Sequence, residues 1–120
     1  MGFRLNKTDY SLLTHQGDCG KIKVKNIPTD NDYKVCLAFQ DKRRNILDKL
    51  FVQSEKKSEV IFSVEEETTN KFTVAPTVPC EIYYWGIVLI NSATGGKNTP
   101  KIGPTKFGEL NKLIVFPKKA

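Results

Sequence analysis

His15, Asp18 and Cys19 fall within five residues of one another in "LLTHQGDCG", and His15 is the chain's only histidine. A nucleophilic site needs a Ser, Cys or Thr beside a base, and these are the right side-chain types. Closeness in sequence is not geometry in a fold, however, and "HQGDCG" is rich in turn formers. An exposed turn is the expectation. A carboxylate pair would have to draw on Glu65, Glu66, Glu67, Glu81 and Glu109. The triple run reads as a solvated helical turn, since each buried charge would need a partner. The string "GGK" in "INSATGGKNT" invites comparison with a phosphate loop. That loop needs glycine at position 91 and a hydroxyl at 98, and both positions hold asparagine. Pro100 then stands where a helix should begin. Gly95 and Gly96 suit a hairpin turn, because glycine takes positive φ without steric cost. Cys19, Cys36 and Cys80 form no Cys-x-x-Cys pair, so a zinc site lacks its ligands. Free thiols are expected, with Cys36 and Cys80 the one pair whose proximity matters. No catalytic residue, metal or cofactor is assigned, and the expectation is a protein that is not an enzyme.

The elements that would carry these residues repeat with a period of two. In "KIKVKNI", Ile22 and Val24 alternate with Lys21, Lys23 and Lys25, before a displaced Ile27. "YKVCLAFQ" sets Tyr33, Val35, Leu37 and Phe39 on one face. "NILDKLFVQ" is the most helix-like stretch, yet it lacks a cap and predicts a strand around Lys49 to Gln53. "KSEVIFSV" aligns Val60, Phe62 and Val64, and "EEETTN" predicts the one helical turn, with acids at its N-terminus. "KFTV" adds Phe72 and Val74 before Pro76 and Pro79. "EIYYWGIVLI" predicts the longest strand, "GGKNTPKIG" a turn into a short strand, and "NKLIVF" the last. Turn signals separate them at "QGDCG", "PTDND", "DKRRN", "PTVPC", "SATGG" and "GPTKFGE". Such spacing predicts an all-β, antiparallel sandwich or barrel of about seven strands with one short helical turn. Residues 1–120 read as a single domain, with basic tails at "GFRLNK" and "PKKA". The expected core is Ile22, Val24, Val35, Leu37, Phe39, Val60, Phe62, Phe72, Ile82, Tyr84, Val88 and Val115.

Two surfaces invite function. The strand "EIYYWGIVLI" is apolar on both faces, whereas a sandwich buries only one. Tyr83, Trp85, Ile87 and Leu89 would then form an exposed interaction surface. The alternative is a cover such as the terminal segment around Phe3 and Leu5. The second surface is basic. The net charge of +6 and the positions of Lys21, Lys23, Lys25, Lys42, Arg43 and Arg44 raise a nucleic-acid patch as the alternative function. Nucleic acid is not the preferred partner, since lysine on a strand also guards against edge pairing. The apolar run Ile82 to Ile90 is too short to span a bilayer as a helix. "MGFRLNKTDY" has no signal-peptide core, and Asn6 stands where a myristoylation motif needs Ser or Thr. The expected localisation carries no signal peptide and no membrane.

The order "QGDCG", "KIKV", "YKVCLAFQD", "VIFSVEEETTNKFTV" and "EIYYWGIVLINSATGGKNTPKIG" resembles immunoglobulin-like N-terminal modules of tailed-phage baseplate and tail-fibre proteins. In those modules a Tyr-rich strand is often followed by a polar turn and a strand ending in glycine. The chain departs from them in having "PTVPCEIYYW" where a Gly-x-Tyr entry is common. The resemblance implies an immunoglobulin-like antiparallel β-sandwich of about seven strands, and a non-enzymatic structural module of a phage or prophage virion, made in a bacterial cytoplasm. Its partners would be other virion subunits or further copies of itself, with Tyr83 and Trp85 as anchors. A carbohydrate-binding sandwich on a tail fibre is a further alternative.

Overall fold

The computed structural model describes residues 2–99 and 111–118. Among them the elements run β1 (Arg4–Asn6), β2 (Ser11–His15), β3 (Gly20–Val24), β4 (Tyr33–Gln40), β5 (Ile46–Gln53), β6 (Val60–Val64), α1 (Glu66–Thr69), β7 (Glu81–Asn91), β8 (Lys97–Asn98) and β9 (Asn111–Phe116). The "GPTKFGE" turn, Pro100, Glu109 and Lys119 lie outside the described residues.

The fold is an all-β sandwich with one short helical turn. The large sheet has the order β1-β2-β9-β7-β4-β5, with β8 alongside β7, and β3 pairs with β6 as a smaller second sheet. All pairings are antiparallel except β2 with β9, where Leu12 to His15 run parallel to Leu113 to Phe116. The large sheet is therefore mixed rather than wholly antiparallel. β1 was not expected, because all three of its residues are exposed and show no alternation.

Local chemistry explains the turns. In the β4–β5 hairpin, Asp41 Oδ1 accepts the backbone N–H groups of Arg43 and Asn45 at 2.8 and 2.9 Å, and Arg44 takes φ 64°. Gly95 supplies φ 75° in the β7–β8 turn, where Asn91 Oδ1 accepts from Ala93 at 2.9 Å. "GGK" is a hairpin turn. Asn26, with φ 64°, breaks the alternation after β3 and turns Ile27 inward to 4% exposure. "KFTV" forms no strand. Phe72 instead follows α1 into the core and packs against Phe39 and Tyr83.

One core cluster joins the two sheets: Ile22, Val60, Phe62 and Val64 from the small sheet, and Val35, Leu37, Phe39, Leu113 and Val115 from the large. The expected core is corrected along β7. Ile82, Tyr84 and Val88 are half-buried on the outer face, and Tyr83, Trp85, Ile87 and Leu89 point inward at 5–6% exposure. The reason is register. Val35, Leu37 and Phe39 of β4 are fully buried and pair with Leu89, Ile87 and Trp85. Directly opposed residues share a face, so the parity of β4 sets that of β7.

Candidate functional site

The inward placement of Tyr83, Trp85, Ile87 and Leu89 overturns the expectation of an exposed interaction surface. The other possibility holds in part, because the N-terminal segment helps to cover them. Phe3 stacks on Phe39 with ring centroids 6.5 Å apart. Its approach relies on two glycines. Gly2 adopts φ 83° and accepts a hydrogen bond from Thr14 Oγ1, and a Cβ on Gly20 would lie 2.8 Å from the Gly2 Cα.

The cover is incomplete. Trp85, Ile87 and Leu89 form the floor of a groove of about 690 Å³, within the size range of ligand sites. Phe3, Leu5, Tyr10 and Leu12 wall one side, and the successive residues Lys21 to Ile27 wall the other. Three of the four candidate apolar residues and half of the candidate basic patch therefore meet at one place. Trp85 Nε1 is shielded from water and has no hydrogen-bond partner among the described residues. Buried polar groups are nearly always paired, so an orphan donor at such a place needs an explanation. Nothing in the sequence marks it beyond the presence of a single tryptophan in a long strand.

Tyr83 belongs elsewhere. Its hydroxyl donates to the Thr73 carbonyl oxygen, and it lines a separate depression of about 470 Å³ with Asp41, Lys42, Arg43 and Glu81. The basic residues are thus divided between two elements: Lys21, Lys23 and Lys25 on or just after β3, and Lys42, Arg43 and Arg44 in the β4–β5 turn. Lys42 Nζ lies 2.7 Å from Glu81 Oε1. The Glu81 hydrogen bond and charge hold the ammonium above its ordinary pKa, and the Lys42 hydrogen bond outweighs burial to hold the Glu81 carboxyl below its own. Lys23 Nζ lies 3.3 Å from Glu59. With Trp85 and Tyr83 buried, β7 offers neither as an exposed stacking platform of the kind single-stranded nucleic acid uses.

His15 Nδ1 is 3.9 Å from Asp18 Oδ2, too long for a base held by its orienting partner. The imidazole packs against Phe116 with centroids 5.4 Å apart, and Cys19 is exposed. Cys36 and Cys80 are both free. Burial pushes the Cys36 thiol above its ordinary pKa, against the pull of Lys49 and Lys34. Among the described residues no group of three or more His, Cys, Asp or Glu is placed to hold a metal. No helix among them is long and apolar enough to cross a membrane.

The outer face of the large sheet carries a second set of apolar side chains. Phe51, Cys36 and Val88 are opposed across β5, β4 and β7, and Leu13, Ile114 and Ile82 across β2, β9 and β7. Phe51 is 48% exposed, with Lys34 Nζ 4.5 Å above its ring.

This geometry defines a β-sandwich module with a groove between its sheets. No family model and no curated protein matches the chain. The crystal structure of dimeric latent PorU from Porphyromonas gingivalis is similar, with a TM-score of 0.54 and 15% identity over 84% of this chain and 8% of that one. At that identity the likeness concerns fold alone.

Proposed function

We propose that this chain is a non-enzymatic interaction module that works by burying the outer face of its large sheet in a symmetric assembly. The observation that carries the reading is the pair of apolar rows on that face: Phe51, exposed, and Val88, half-buried, on either side of the buried Cys36, and the half-buried Leu13, Ile114 and Ile82. A sandwich needs only its inner faces apolar, and uncovered apolar surface is where soluble proteins associate. The docking residues move from Tyr83 and Trp85 to these rows. A phage or prophage virion, at the baseplate or tail fibre, is the setting the sequence resemblance suggests.

Absolute mass by light scattering behind a sizing column, at low and moderate salt, tests the reading. A stable oligomer at both salts is expected, falling to monomer in Phe51→Lys and Val88→Lys. A protein that stays monomeric at millimolar concentration overturns it, as does an oligomer that both variants leave intact.

A further inference from the structure

We infer that the groove between the sheets is a strand-accepting site, taking an extended segment of a partner protein in which apolar and acidic residues alternate. The proposal concerns the inner side of the sandwich and does not depend on docking through the outer face.

Four observations converge on it. The first is an open edge: among the described residues β3 pairs only with β6, so one side of its backbone is unpaired. Such an edge is a template for another strand. The second is continuity. Residues Lys21 to Ile27 line the groove without a gap, so residues of both strand faces border it. The third is spacing. Trp85, Ile87 and Leu89 recur every second residue along the floor, a span of about 13 Å at the rise of a strand. A segment laid beside β3 would lower its alternate side chains onto that floor at the same pitch. The fourth is the Trp85 Nε1–H, unpartnered among the described residues, which asks for an acceptor. A backbone carbonyl of an incoming strand is one.

Charge selects the partner's other face. Residues directly opposed in paired strands share a side of the sheet. The incoming residues beside Ile22 and Val24 would therefore be apolar, and those beside Lys21, Lys23 and Lys25 acidic. On the occupied side of β3, Lys21 and Lys23 face Ser63 and Ile61, neither of them acidic. Lys23 reaches Glu59, but Lys21 and Lys25 have no ion pair among the described residues. The same lysines repel a basic or like-charged edge, which restricts the site to an acidic strand.

Trp85 is the chain's single tryptophan, so one indole N–H resonance reports on the site. The probe is the capped heptapeptide EVEIEVE, titrated into the intact ¹⁵N-labelled protein, with KVKIKVK and decanoate as comparisons. EVEIEVE is expected to move the indole proton downfield saturably and to protect β3 amides from exchange. The double variant Lys21→Glu, Lys25→Glu should weaken binding by about tenfold, as the loss of two rim charge pairs implies. Phe51→Lys should leave it unchanged. An indole signal that millimolar EVEIEVE does not move overturns the proposal, as does equal binding of KVKIKVK. A shift with decanoate alone also overturns it, and makes the groove a site for a small anionic amphiphile.

Discussion

Asp48 shows how a surface carboxylate can tie two elements together. It sits in β5 and accepts the Thr68 hydroxyl of α1 at 2.6 Å, with Lys71 Nζ at 3.4 Å. Burial works against its charge, but the Thr68 hydroxyl, the Lys49 N–H and Lys71 together hold the carboxyl below its ordinary value of 3.8. A depressed pKa adds stability that is present above the unfolded value and lost as pH falls through the folded one. The Asp48 contribution should therefore persist at neutral pH and fade below about 3.8. Asp48→Asn should cost about 1 kcal/mol at neutral pH, the scale of a charged hydrogen bond in partial contact with water. The difference should shrink as urea midpoints are compared at falling pH. None of this was legible in "NILDKLFVQ". The alternation of a strand shows which side a residue takes, but not which loop crosses over it. Trp85 makes the same point, since an orphaned donor is a property of its surroundings and not of its type.

Among the elements, those with one clean face were readable and those without were not. Val60, Phe62 and Val64 alternate with exposed neighbours and form β6 as expected, and the acids of "EEETTN" open α1. β7 is apolar on both faces, so its alternation could not say which face was inward. That choice came from its register with β4. β5 read partly as helix because it is an edge strand, exposed to water in part along both faces. The N-terminal segment carried least signal, although its close contact with β3 helps to bring Phe3 against Phe39. Gly20→Ala should cost about 1–3 kcal/mol by overpacking, because its Cβ would stand 2.8 Å from the Gly2 Cα. Gly96→Ala is the control, with nothing nearer than Thr94 Oγ1 at 3.4 Å. Thermal melts should show a lowered midpoint for the first and little change for the second.

At the scale of the molecule, an all-β sandwich or barrel followed from strand periodicity and turn spacing, while the parallel pairing of β2 with β9 did not. Pattern alone rarely distinguishes a parallel from an antiparallel neighbour when the partners stand about a hundred residues apart, as Leu12 and Leu113 do. The two candidate surfaces also lie on opposite sides of the large sheet, so one protein can fill its groove and dock by its back. The parallel pair has a mechanical consequence as well. Tension applied before Ser11 and after Phe116 draws β2 and β9 along their lengths in opposite directions. The hydrogen bonds between them then bear the load together, in shear, whereas a hairpin pulled at its open end yields one bond at a time. Drawn out between those two points, the sandwich should hold to a higher force than when pulled across the β4–β5 hairpin, a contrast single-molecule stretching can measure. Loaded along its own chain, the protein behaves as a clamp.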